Sequence, residues 1–147
     1  MNILFVCTGN TCRSPMAEGI LKSMLSEKDN IQVLSGGIFA PQGAGASENA
    51  ILAMREKGID ISAHTAQNIN PDVIGESDLI LAMTSSHKQM IIAAFGDEAR
   101  GKVYTVCEYA DIDGEISDPY GAGIDCYKEC ADMLEGAIGK IYDKIRR

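Results

Sequence analysis

Residues 2–15 combine an apolar run, a glycine-containing loop and a helix start. The run from Asn2 to Val6 leads into Cys7-Thr-Gly-Asn-Thr-Cys-Arg-Ser, and Pro15 follows. A short apolar run bounded by a turn signal predicts a buried strand, and proline is favoured in the first turn of a helix. This segment is therefore expected to form a strand, a tight loop and a helix.

The loop from Cys7 to Ser14 has the composition of an anion site. Backbone N–H groups in such a turn, together with the positive end of the next helix, favour a phosphate dianion at one centre. The same field favours the thiolate of Cys7, and the planar guanidinium of Arg13 can grip two equatorial oxygens of a transferring phosphoryl group. We therefore predict phosphoryl transfer to Cys7. The phosphate-binding residues are Thr8, Gly9, Asn10, Thr11, Cys12, Arg13 and Ser14, with the Ser14 hydroxyl directed at the sulfur.

Displacement at phosphorus also needs a proton donor for the leaving group. Asp118 is the best candidate, because Pro119 stiffens the backbone after it and Tyr120 can supply an apolar wall. Asp-Pro is also an ordinary turn signal, and a cysteine at a strand end is often only a buried thiol. Because the chain contains the complete loop from Cys7 to Ser14, we favour a catalytic role for Cys7 and Asp118 over these structural interpretations.

Composition limits the classes of protein that fit. A chain of 147 residues with 46% hydrophobic content suits one domain, residues 1–147. A net charge of −8 argues against nucleic acid or an anionic membrane as a partner. The apolar runs are too short to cross a bilayer, and residues 1–20 do not resemble a signal peptide. A cytoplasmic, monomeric enzyme is expected.

Five cysteines, without a CxxC pair or a histidine cluster, favour neither a disulfide framework nor a zinc site. No metal or other cofactor is expected. The spacing of Cys7 and Cys12 suggests a reversible disulfide that would protect Cys7 from over-oxidation. Cys126 and Cys130 share a helix face at i,i+4, and we expect both to be small core residues.

Short apolar runs alternate with helical patterns along the chain. This alternation predicts an α/β fold in a single domain, with a four-stranded parallel sheet, helices on both faces and the phosphate loop after the first strand. The loop 36–47, rich in glycine and proline, is expected to rim the site. The predicted strands are 3–7, 32–35, 79–83 and 103–106, and the predicted helices are 16–27, 48–57, 86–95 and 126–145.

Over nearly its whole length the chain resembles the low-molecular-weight protein tyrosine phosphatase family. The resemblance implies that Cys7 is the nucleophile, that Arg13 clamps the transition state, and that Asp118 is the acid that then serves as base toward water. It also implies that Asn10, Ser14 and Ser35 hold the loop through side-chain hydrogen bonds, that His64 supports it from behind, and that no metal is needed. His87 has no matched role and is interpreted as structural. The matching segments are 7–15, 35–37, 58–64 and 118–120.

The substrate depends on Thr11 and on the residues after Pro119. Family members that act on tyrosine usually carry a larger aliphatic residue at Thr11 and often a second aromatic after Tyr120, where this chain has Gly121. Thr11 with a single aromatic, Tyr120, resembles the bacterial protein arginine phosphatases. Protein phosphoarginine is therefore the predicted substrate and inorganic phosphate the product.

Other interpretations remain open. Phosphotyrosine in proteins or peptides is the nearest alternative substrate. Arsenate reduction would need further cysteines near the site, and none lies between Cys12 and Cys107. A phosphate-binding module without catalysis would not need Cys7, Arg13 and Asp118 together. The carboxylates at positions 111, 113, 115, 118 and 125 either favour a cationic leaving group or form a solvated loop.

Overall fold

The computed structural model describes residues 1–147, and four parallel strands form its centre. The strands are β1 (Asn2–Cys7), β2 (Gln32–Gly37), β3 (Leu79–Ala82) and β4 (Val103–Thr105). Their spatial order is β2-β1-β3-β4, with Phe5 paired to Ser35 on one side and to Leu81 on the other. This confirms the predicted four-stranded parallel sheet.

Six α-helices and two short 3₁₀ turns connect and cover these strands. No helix has the combination of length and apolar composition that a membrane span requires. The helices are α1 (Arg13–Met24), α2 (Glu48–Arg55), α3 (Pro71–Glu76), α4 (Ser85–Phe95), α5 (Val106–Tyr109) and α6 (Ile124–Ile145), and the 3₁₀ turns are Glu27–Asp29 and Gly96–Glu98.

Helix α1 begins and ends three residues earlier than predicted. Its first turn is closed by a hydrogen bond from Met16 N–H to Cys12 O at 3.1 Å, so Arg13 belongs to the helix. It ends at Met24 because Leu25 is extended and Ser26 forms a capping box with the next turn.

Helices α3 and α5 were not predicted. Both are too short to show a clear 3.6-residue period, and each depends on its N-cap. The Asn70 side chain accepts a hydrogen bond from Val73 N–H, and Pro71 follows in the first turn. Thr105 forms a capping box with Glu108, which also ends β4 one residue early.

The strand β1 is buried on both faces, and its side chains alternate between two apolar clusters. Ile3, Phe5 and Cys7 face the larger cluster, which also contains side chains from α1, α2, α5 and α6. Leu4 and Val6 face the smaller cluster with side chains from α3 and α4. Helices therefore cover both faces, as predicted.

The expectation of two core cysteines on α6 was wrong for Cys126. The buried stripe of α6 runs through Tyr127, Cys130, Leu134 and Ile138. Cys130 is part of this stripe, whereas Cys126 lies in the first turn beside the stripe and is exposed. Residues at i and i+4 share a helix face only approximately, and the buried stripe passes through Tyr127 rather than through Cys126.

The sheet order places the end of β1 at a functional position. The chain leaves β1 toward β2 on one side and leaves β3 toward β4 on the other, so the connections from these two neighbouring strands diverge at their carboxyl ends. In open α/β sheets, ligands bind at such a switch point. Cys7 is the last residue of β1.

Candidate active site

One cavity of about 290 Å³ opens at the end of β1. It brings together the predicted nucleophile, guanidinium and acid, although Asp118 is far away in sequence. Pro41 in its wall fits the expectation that the loop 36–47 rims the site. The residues that line the cavity are Cys7, Thr8, Gly9, Thr11, Cys12, Arg13, Pro41, Asp118 and Tyr120.

The sulfur of Cys7 has two hydrogen-bond neighbours within the loop. Ser14 Oγ lies 2.9 Å from Cys7 Sγ, and the N–H of Asn10 donates to the sulfur at 3.3 Å. Since Ser14 Oγ already accepts a hydrogen bond from Asn10 Nδ2 at 2.8 Å, its own hydrogen is free to point at the sulfur. Two donors therefore face Cys7 Sγ, an arrangement suited to a thiolate.

The buried Asn10 side chain makes three hydrogen bonds, two as donor and one as acceptor. Its Nδ2 donates to Ser14 Oγ and, at 2.9 Å, to Ser35 Oγ, while its Oδ1 accepts from Gln67 N–H at 3.0 Å. Ser35 in turn donates to Glu18 Oε1 at 2.6 Å. This network fixes the orientation of the amide and of the Ser14 hydroxyl.

The backbone of Asn10 is held as well. His64 Nε2 donates to Asn10 O at 2.7 Å. Asn10 adopts a left-handed conformation with φ 55°, as its residue type suggested, whereas Gly9 does not have a positive φ. The residues that the resemblance associates with loop support, Ser14, Ser35 and His64, therefore all contact Asn10.

Arg13 is almost completely buried, with 4% of its surface exposed. Its Nη1 donates to Ile116 O at 2.9 Å, and its Nη2 lies 3.6 Å from Asp118 Oδ2. The first contact anchors the guanidinium to the segment that carries Asp118. The sequence contained no signal for this contact, because any backbone carbonyl can accept such a hydrogen bond.

The carboxyl of Asp118 faces the cavity but is not shielded from water. Its side chain is 51% exposed, and Oδ1 accepts from Tyr120 N–H at 3.0 Å. Tyr120 lines the cavity, yet it is itself 78% exposed. The expected apolar wall over Asp118 is therefore absent, because Tyr120 extends outward at the cavity mouth.

The family model for low molecular weight phosphotyrosine protein phosphatase matches residues 2–147. The chain belongs to this family.

The relatives of the chain within this phosphatase family include proteins named as arginine phosphatases and proteins named as tyrosine phosphatases. The chain is 40% identical over 149 residues to a protein-arginine-phosphatase of Bacillus subtilis, covering 100% of this chain and 98% of the relative. It is 41% identical over 141 residues to the low molecular weight protein-tyrosine-phosphatase PtpB of Staphylococcus haemolyticus, covering 96% and 97%. A solved structure of the YwlE arginine phosphatase, a C7S mutant with a phosphorylated active-site serine, matches with a TM-score of 0.95 at 40% identity, covering 100% of this chain and 97% of that one.

Cys12 lines the cavity, and its thiol has two hydrogen-bond neighbours outside the loop 7–14. Its Sγ lies 3.5 Å from Ser47 Oγ and 3.6 Å from the hydroxyl of Tyr127, and burial raises the pKa of Tyr127 to about 12. Ser47 N–H also donates to Thr11 O at 2.8 Å. All five cysteines are free thiols. A disulfide between Cys7 and Cys12 stays a prediction, and forming it would break the contacts of Cys12 with Ser47 and Tyr127.

Two of the five acidic side chains expected near the site have partners elsewhere. Asp111 pairs with Lys144 at 3.1 Å, and Glu115 accepts a hydrogen bond from Ser85 N–H. Among these carboxylates, only Asp118 lines the cavity. The other four carboxylates of this set are exposed, so they form a solvated surface rather than part of the cavity.

His87 contacts the phosphate loop, which the sequence did not indicate. Its imidazole lies between two threonines, with Nε2 at 2.8 Å from Thr8 Oγ1 and Nδ1 at 2.9 Å from Thr84 Oγ1. Burial lowers the pKa of His87, and the charge of Arg13 lowers it further, against the opposing effects of Asp118 and Glu115. Thr84 lies three residues before His87, a spacing typical of a helix N-cap. The contact of His87 with Thr8 spans 79 residues, so no local sequence pattern could indicate it.

This lowered pKa makes stability depend on pH. Below about pH 6.5, the ordinary histidine pKa, the unfolded chain binds a proton at His87 that the folded protein binds less readily, so the free energy of unfolding should fall. This contribution has a slope of at most about 1.4 kcal/mol per pH unit. The free energy of unfolding, measured with urea at several pH values between about 5 and 7, should change more steeply with pH in wild type than in His87→Gln. If the two proteins showed the same pH dependence, His87 would not be the cause of it.

Proposed function

We propose that this protein is a cysteine-dependent phosphoprotein phosphatase that acts through a phosphocysteine intermediate and prefers protein phosphoarginine. One observation carries the proposal: Cys7 Sγ, with the Ser14 hydroxyl at 2.9 Å, shares a cavity with a guanidinium and a carboxyl that lie 3.6 Å apart. In this proposal, residues 1–147 form one phosphatase domain.

In the first step, the thiolate of Cys7 attacks phosphorus, an S–P bond forms, and the bond from phosphorus to the leaving atom breaks. Asp118, as the carboxylic acid, donates its proton to that leaving atom. Arg13 binds two equatorial phosphate oxygens, where charge accumulates in the transition state. Its anchor on Ile116 O holds the guanidinium in position before substrate binds.

In the second step, water attacks the phosphocysteine. The Asp118 carboxylate accepts a proton from the water, the S–P bond breaks, and inorganic phosphate leaves. The departing sulfur is a thiolate, and the Ser14 hydroxyl donates a hydrogen bond to it. Because Asn10 and Ser35 orient that hydroxyl, they are positioning residues, and His64 supports them through Asn10 O.

Thr11 supports phosphoarginine as the substrate. It lines the cavity, and its backbone is held by Ser47 N–H. A hydroxyl here can accept a hydrogen bond from a guanidinium nitrogen, which an aliphatic side chain would leave unpaired. The similarity to relatives named arginine phosphatases agrees with this choice, while the PtpB relatives make phosphotyrosine the second candidate.

The substrate preference can be tested at Thr11. We expect wild type to have a higher kcat/KM on a phosphoarginine peptide than on the matched phosphotyrosine peptide. Thr11→Ile should lower kcat/KM on phosphoarginine by about tenfold or more, because the hydroxyl is lost and the slot narrows. The same change should leave activity on phosphotyrosine equal or higher.

Thr11→Ser is the matched control, since it keeps the hydroxyl and should retain the preference for phosphoarginine. A wild-type enzyme that prefers phosphotyrosine would refute arginine specificity while leaving the phosphatase mechanism unaffected. If Thr11→Ile lowered both activities equally, Thr11 would act on loop geometry rather than on substrate choice.

Cys130 argues against arsenate reduction. Its thiol donates to Ser117 O, one residue before Asp118, at 3.8 Å. Burial raises the pKa of Cys130 to about 12, so it is a poor source of the thiolate that a cysteine relay needs. We further propose that the protein is a cytoplasmic monomer and that its substrates are phosphorylated proteins.

A further inference from the structure

The two most exposed large hydrophobic side chains lie on segments that border the active-site cavity. Phe39 is 85% exposed and Tyr120 is 78% exposed, whereas Met90, the next in exposure, is 51% exposed. Tyr120 lines the cavity, and Phe39 lies two residues before Pro41, which also lines it. Phe and Tyr are among the residue types that are enriched in protein–protein contact sites.

The backbone of Phe39 is attached directly to the phosphate loop. Its N–H donates to Thr8 O at 2.9 Å, and Ile38 N–H donates to Cys7 O at 3.0 Å. At Gly37 the two segments approach so closely that a Cβ would lie 2.7 Å from Thr8 O. Phe39 is therefore held beside the wall of the cavity.

The other side of this segment is held by Asn68. Its Oδ1 accepts from Ala40 N–H at 2.7 Å, and its Nδ2 donates to Ala40 O at 3.2 Å. Farther along, Gly43 N–H donates to Ala66 O at 2.8 Å. With the backbone fixed on both sides, the ring of Phe39 points into solvent from a preorganised support, which lowers the entropy cost of binding.

We propose that Phe39 binds the polypeptide of phosphorylated protein substrates, by contact with an apolar side chain close to the phosphorylated residue. This inference rests on the proposed phosphatase function. The cavity of about 290 Å³ accepts the phosphorylated side chain, so the neighbouring substrate residues must cross its rim. Since the enzyme has a net charge of −8, apolar contact provides affinity where acidic segments would be repelled.

The test compares a phosphopeptide with a small aryl phosphate that has no polypeptide. Phe39→Ala should lower kcat/KM by about tenfold or more on a phosphopeptide with an apolar residue next to the phosphorylated one, mainly by raising KM. It should leave kcat/KM on the aryl phosphate unchanged. Phe39→Leu should retain most of the activity on the peptide, and Met90→Ala, at an exposed site on α4, should change neither value.

Several results would overturn the inference. An equal loss on both substrates would mean that Phe39 maintains the geometry of the loop. If Phe39→Ala lowered kcat/KM equally on a peptide with serine in place of the apolar neighbour, the proposed apolar contact would be contradicted. A change in sedimentation between wild type and Phe39→Ala would assign the ring to a second copy of the chain. Wild type inactive on the aryl phosphate would refute the proposed function itself, whereas active wild type with unaltered peptide kinetics in Phe39→Ala would refute only this inference.

Discussion

Replacement of Cys7 by serine should lower kcat/KM on every phosphorylated substrate by about 10⁴-fold or more. A serine hydroxyl is not ionised at neutral pH, so the two donors that face Cys7 Sγ would have no anion to stabilise. The exchange is nearly isosteric at a buried position, and the thermal unfolding temperature should change little.

The Cys7→Ser variant should also be able to hold a phosphoryl group. An alkoxide is a poorer leaving group than a thiolate, so any phosphoserine that forms should hydrolyse slowly and be detectable by intact-protein mass spectrometry. The related YwlE C7S structure contains a phosphorylated active-site serine. The control is Cys126→Ser, which removes an exposed thiol and should retain full activity. A Cys7→Ser variant with substantial turnover would disprove the covalent mechanism.

Replacement of Asp118 by asparagine should reduce activity according to the leaving group. On a substrate whose leaving group needs a proton, kcat/KM should fall by about 10²- to 10⁴-fold, because the acid is lost. On p-nitrophenyl phosphate, whose leaving group departs without a proton, kcat/KM should change little. The pair of substrates therefore isolates proton donation from phosphate binding.

The same variant should reveal the second role of Asp118. With p-nitrophenyl phosphate the first step stays fast, but the water that attacks phosphocysteine has lost its base, so kcat should fall and a burst of nitrophenolate should appear. Asp113→Asn is the matched control, since Asp113 is an exposed carboxylate of the same acidic segment and does not line the cavity. A uniform loss of kcat/KM on both substrates would indicate that Asp118 serves mainly to position Arg13.

The phosphate loop could be predicted because its determinants are contiguous. Cys7, Arg13 and Ser14 lie within one strand, loop and helix start, so the spacing along the chain limits their spacing in space. The sheet could be predicted for a related reason: strands buried on both faces appear as short apolar runs, and β1 and β3 are of this type.

Element ends and short helices were harder to predict. The end of α1 at Met24 and the helices α3 and α5 depend on capping hydrogen bonds rather than on apolar periodicity. Cys126 shows the same limit, because a shared helix face does not reveal where the neighbouring elements pack. These features depend on a few local contacts, each of which competes with other turns of similar free energy.

The sequence by itself determined the fold class and the strand, loop and helix start that carry Cys7 and Arg13, because both follow from local patterns of residue type. Only the tertiary structure decided how the loop is held and what surrounds it. Arg13 is anchored on Ile116 O, His87 contacts Thr8, and Phe39 is fixed beside the cavity by bonds to the loop. These contacts join segments that are distant in sequence, and their partners are backbone carbonyls or common hydroxyls, which carry no distinctive signal until the chain has folded.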